Sequence, residues 1–230
     1  MPRTTSSAMA VLCGLLAAAS EGAEPDRGFR LAAVTPDFLF YSRHGEPIDV
    51  GEVERSLRRV EALLGQRVPG RAAYYRYGTP QEVAANVGPY AAGVTFGRLR
   101  QIHSIRKSHL HEVVHLVAAH LGDPGPFFQE GLAVALAGAD GGGRPLGRRP
   151  LPRRLRALPF SAVVAGFEGL APETSYPMAG SFVSFLIEAH SLPRVVAFFR
   201  ACAGEDARPE QAFRATFGLS LDEAGETWSR

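Results

Sequence analysis

An excess of charge of either sign is almost missing from this 230-residue chain, where 25 Lys and Arg stand against 23 Asp and Glu for a formal net charge of +2. A dedicated nucleic-acid binder normally carries a strongly basic face, so this balance argues against that class. Cysteine is scarcer still, with only Cys13 and Cys202. Once the N-terminal segment is set aside, Cys202 has no partner, and a core or a metal must hold the fold in place of a disulfide. The early apolar run from Ala8 to Ala19 is too short to span a bilayer, and no internal repeat is visible. What remains is ordinary globular composition, 46% hydrophobic and 21% charged. The chain is long enough for one domain or two intimate subdomains around a sizeable core.

The first twenty residues have the shape of a secretory signal peptide. Arg3 precedes the apolar run, and the small residues Ala18, Ala19 and Ser20 lead into an acidic, proline-containing stretch. Cleavage is expected near Ala19 or Ser20, which makes the product an exported protein, periplasmic or extracellular. A lipid anchor at Cys13 is the rival, weakened by Leu12 where lipoprotein signals usually carry a small residue. The rest, 25–230, reads as one domain.

Within that domain the pattern changes once. Over 25–107, β-prone runs such as "FRLAAVTPDFLFYSR", "RAAYYRYG" and "AAGVTFGRLRQIHSI" alternate with helical ones such as "DVGEVERSLRRVEALLG" and "TPQEVAANV". Val53, Leu57, Val60 and Leu64 recur at the spacing of one buried helical stripe. Over 108–230 almost everything reads as helix. The expected class is therefore α+β, a small mixed N-terminal sheet with helices followed by a mainly helical part.

One helix is anomalous. "SHLHEVVHLVAAH" places four histidines and a glutamate in an apolar segment, where each buried polar group without a partner costs several kcal/mol, roughly 2–7 by transfer scales. His111, Glu112 and His115 spell H-E-x-x-H. Residues four apart differ by roughly 40° around a helix, so both imidazoles share a face and can hold one ion, zinc being the natural occupant. Glu112 falls beside that ion, where a carboxylate can take a proton from activated water. An ordinary helix with a satisfied histidine pair is the bland alternative.

A catalytic zinc needs a third protein ligand and an open position. The metzincin solution fails, because Ala118 and Leu121 stand where its glycine and third histidine belong, and His120 is one position off. A glutamate on the next helix remains. Gly122, Pro124, Gly125 and Pro126 end the first helix, Pro126 suits the first turn of a second, and Glu130 follows. Phe128, Leu132, Ala135 and Leu136 form a docking stripe, with Gly131 allowing the two backbones to approach closely. Glu130 has its own alternative as a solvated carboxylate near the helix N-terminus. His103, His109 and His120 read as structural.

"LHEVVHLV" followed by "FFQEGLAVAL" resembles the gluzincin metallopeptidases, specifically the bacterial peptidase MA-like domains. The likeness extends through "SYPMAGSFVSFLIEAHSLPRVVAFFRACAG" to "EQAFRATFGLSLDEAGETW". It implies a zincin-like fold, zinc bound by His111, His115 and Glu130, Glu112 as the general base, and Tyr176 as a candidate oxyanion donor. Thr174 or Ser175 can cap the helix that carries Tyr176, whose stripe continues through Ala179, Val183 and Leu186; a core tyrosine tied elsewhere is the alternative. Two features depart from the family pattern. Val134 stands one helical turn after Glu130, leaving no acidic residue there to orient a zinc histidine, and "GADGGGRPLGRRPLPRRLRALPF" concentrates six arginines between Arg144 and Arg156. That stretch reads as a surface loop, or as a basic rim for acidic substrates or an anionic envelope surface.

The expected function is thus a zinc-dependent peptidase acting on a peptide or protein, with "AAGVTFGRLRQIHSI" supplying an edge strand beside the cleft. A non-catalytic zinc-binding envelope protein, or a peptide-binding module on the same fold, is the competing class.

Overall fold

The computed structural model describes residues 28–138 and 151–230. The signal segment, Cys13, and Arg144, Arg148 and Arg149 of the basic stretch lie outside the described residues. Among those described, the chain is mixed α+β, as the change of pattern predicts.

The two longest β-prone runs each contain two strands. "FRLAAVTPDFLFYSR" folds as β1 (Arg30–Val34) and β2 (Phe38–Ser42), and "AAGVTFGRLRQIHSI" as β4 (Gly93–Phe96) and β5 (Gln101–Ser104), with β3 (Ala72–Arg76) between them in sequence. The sheet order is β1-β2-β3-β5-β4. Both hairpins pair antiparallel, while β2, β3 and β5 run parallel, so β4 is an edge strand on the side where the helical half begins.

Alternation along the strands assigns the two faces. Phe38, Phe40, Ala72, Tyr74 and Ile102 point into the main core and are at most 1% exposed. Tyr75, Tyr77 and Val94 point the other way into a smaller cluster closed by Val83 of α2 (Pro80–Val87). The helix α1 (Val50–Leu64) buries Val53, Leu57, Val60 and Leu64, the stripe read from their spacing. Asp49 starts it by accepting a hydrogen bond from the Glu52 N–H at 3.0 Å.

The helical half comprises α3 (Leu110–Ala118), α4 (Pro126–Ala137), α5 (Phe160–Ala165), α6 (Pro172–His190), α7 (Leu192–Ala201), α8 (Pro209–Phe217) and α9 (Leu221–Ser229). The central member is α4, which buries Phe127, Phe128, Leu132, Ala133, Val134 and Ala137 and so is apolar nearly all round, as a helix enclosed by others must be. Its close packing corrects one expectation. A Cβ on Gly131 would lie 2.6 Å from Val183 Cγ2 and 2.8 Å from the Ala179 carbonyl oxygen, so the intimate approach is to α6 and not to α3. The glycine announces a near neighbour without naming it. The start of α6 is a second correction: Pro172 occupies its first position after Ala171, and Ser175 is buried inside the helix, so neither Thr174 nor Ser175 caps it. Proline is pre-set for a first helical position, which moves the start upstream. No single helix among the described residues is long and apolar enough to cross a membrane.

Candidate metal centre

Helix α3 begins beside the β4–β5 hairpin and buries Val113, Val114, Leu116 and Val117 completely. Burial of this apolar face, rather than helix propensity, favours helix for a segment rich in β-branched valine. The face between core and solvent carries His111 and His115.

A tight connection then turns the chain back. The Asp123 N–H donates to the Cys202 carbonyl at 3.0 Å, and the Asp123 carboxylate accepts from the Gly125 N–H at 3.0 Å. Gln129 Nε2 donates to the Gly122 carbonyl at 3.1 Å, tying the first turn of α4 to the same loop. The returning helix thereby delivers Glu130 to the histidine pair.

His111 Nε2 and His115 Nε2 stand 3.0 Å apart; Glu130 Oε2 lies 3.2 Å from the first and Glu130 Oε1 3.5 Å from the second. The three side chains form a group able to hold a metal ion. For bonds of about 2.1 Å and tetrahedral angles, ligand atoms around one ion stand about 3.4 Å apart, close to what is observed. Glu130 Oε2 is buried and accepts no well-formed hydrogen bond, an omission that in a protein interior costs about 1–3 kcal/mol and that an ion would remove. Glu130 is 3% exposed and sits beyond the first turn of α4, so the solvated-carboxylate alternative does not hold.

The electrostatics match the geometry. Burial presses the His115 imidazolium toward neutrality, but the Glu130 carboxylate more than offsets it and lifts the pKa to about 9. Burial likewise opposes the Glu130 charge, yet His115 and His111 hold this carboxyl well below the usual carboxylate range.

Glu112 is not a member of the group. It is 4% exposed, and its Oε2 accepts a 2.8 Å hydrogen bond from Thr95 Oγ1 on β4. His109, just before α3, is buried with its Nδ1 2.9 Å from Ser104 Oγ and 3.9 Å from Glu112 Oε1. It is outside the metal-holding group. Sequence reasoning missed Thr95 and Gly93 on β4 and Ser104 on β5, because nothing in two four-residue strands signals that they abut α3.

The remaining candidates lie elsewhere. His103 on β5 stacks on Tyr75 with ring centres 4.7 Å apart and has its Nδ1 2.8 Å from the Tyr77 hydroxyl. His120 and Asp123 are outside the metal-holding group. Tyr176 is half-buried near the start of α6, its ring stacked on Phe167 at 6.0 Å. A cavity of about 520 Å³ opens at the beginning of α4, lined by residues including Pro126, Phe128, Val164, Arg208 and Leu221; no member of the group lines it.

No family model matches this chain, and none of the curated proteins does.

Proposed function

We propose that the protein is a zinc-dependent peptidase in which His111, His115 and Glu130 hold the ion and Glu112 is the general base. The observation that carries this reading is the convergence of two imidazoles and a buried carboxylate with ligand atoms 3.0–3.5 Å apart, with Glu112 next to His111 on the same helix. Two nitrogens and a carboxylate oxygen suit zinc's borderline softness, and three protein ligands leave a position open where structural sites close with four. Zinc bound there supplies Lewis-acid polarisation of the scissile carbonyl and an acidified water.

The chain's own residues do the rest. Glu112 takes a proton as the water oxygen bonds to the carbonyl carbon, then passes it to the amine as the C–N bond breaks. The outer side of β4, an edge strand among the described residues, aligns an extended peptide by strand addition. The Tyr176 hydroxyl is the candidate donor to the carbonyl oxygen as charge develops there. The substrate is a peptide or protein met outside the cytoplasm, as the signal-like first twenty residues suggest.

The deciding experiment pairs metal analysis with cleavage of a mixed peptide library by wild type and Glu112→Gln. Glu112→Gln keeps the shape and removes the basicity, so zinc content stays normal and cleavage falls at least about 10²-fold. Equal cleavage by both proteins removes Glu112 from the mechanism. Zinc binding without cleavage by either moves the reading to a non-catalytic zinc-binding envelope protein or peptide-binding module.

A further inference from the structure

We infer that Thr95, with Gly93 beside it, is the positioning element for Glu112, so that edge strand β4 sets where the base stands; this rests on the proposed role of Glu112. Both carboxylate oxygens are seated by β4. Oε2 accepts the Thr95 hydroxyl at 2.8 Å, and the same hydroxyl lies 3.1 Å from the Glu112 main-chain carbonyl, spanning side chain and backbone of one residue. A hydrogen bond to an ionised carboxylate is among the stronger kinds and restricts rotation of the group.

Oε1 lies against Gly93. A Cβ there would stand 2.6 Å from Oε1 and 2.5 Å from His109 Nδ1, closer than atoms pack, so only the bare backbone of this position admits the carboxylate. Gly93 and Thr95 are two apart on a strand and therefore face α3 together. The His109 Nδ1 atom lies 3.9 Å from Oε1. Oε2 is the oxygen that the Thr95 hydroxyl anchors. Because β4 is an edge strand among the described residues, a peptide that pairs with its outer side is held in register with the base through the same strand.

Thr95→Val keeps the shape and removes the hydroxyl. It is expected to bind zinc as wild type does and to keep KM within about twofold while kcat falls about 10- to 100-fold, the scale of a base displaced by an ångström or so. Thr95→Ser, which restores the hydroxyl, is expected to return kcat to within about threefold of wild type, a rescue that a packing role for the methyl group does not produce. The readout independent of turnover is a crystal structure of each metal-free variant. The Glu112 carboxylate should leave its place in Thr95→Val and keep it in Thr95→Ser. An unmoved carboxylate in Thr95→Val, or wild-type kcat, overturns the inference. If the wild type cleaves nothing, the peptidase reading fails, and the metal-free structures still decide whether Thr95 positions Glu112.

Discussion

Two kinds of histidine occur in this molecule, and they differ in what faces them. His103 and His109 are each 7% exposed, meet a tyrosine or serine hydroxyl, and are pushed by burial down to about 4. His115 is half-buried, but meets the Glu130 carboxylate and rises to about 9. Burial alone makes a histidine neutral and structural. A carboxylate in contact keeps it charged until something else takes the proton's place, and a metal ion is such a competitor.

The largest expected effect tests the metal side of this contrast. His111→Ala or His115→Ala should abolish binding of about one zinc per chain, measured by metal analysis, and Glu130→Ala should weaken it strongly in a chelator competition titration. Full occupancy in the double histidine variant, or unchanged affinity without Glu130, would break the comparison. Thermal stability should fall with the metal, since a ligand of the folded state alone adds to that state's stability.

A smaller effect follows from pH, with opposite signs for the two kinds. His103 and His109 titrate near 4 when folded against about 6.5 unfolded, so the unfolded chain binds more protons between those values. Their contribution to stability is full above pH 6.5 and is lost as pH falls toward 4, at up to about 1.4 kcal/mol per pH unit for each. His115 runs the other way in metal-free protein: its contribution is full below pH 6.5 and is lost as pH rises through about 9. Denaturant melts across pH 4 to 10, with and without zinc, check both signs. Zinc should erase the alkaline loss and release a proton on binding.

The smallest expected effect is on residues outside the group. His120→Ala should leave zinc affinity within about twofold of wild type in the same titration, because a side chain beyond contact with the ion gives it no bond. A large loss would recruit His120 as a ligand and redraw the site.

Much of the fold and of the candidate metal centre is legible in the order of residues alone. The stripe of α1 follows from Val53, Leu57, Val60 and Leu64, and the shared face of His111 and His115 from their spacing of four, because helical periodicity is a local property. Glu130 is legible as a candidate through the Gly and Pro residues that force a new helix to begin at Pro126. The partner of Gly131 is not legible, nor is the true start of α6, since one depends on which helix packs there and the other on competition between two plausible beginnings.

The sequence by itself determined the α+β division, the paired imidazoles and the carboxylate beside them, all of which depend on neighbours within a turn or two along the chain. Tertiary structure alone decided that Glu130 is buried against both imidazoles with an unsatisfied oxygen, and that Glu112 rests on Thr95 and Gly93 of an edge strand. Those relations join residues 15 to 19 positions apart in the sequence (130 minus 111 or 115, and 112 minus 95 or 93), across turns whose paths no local periodicity encodes. They form because the apolar faces of α3 and α4 bury against the sheet and α6, and the polar atoms meet where that packing leaves them.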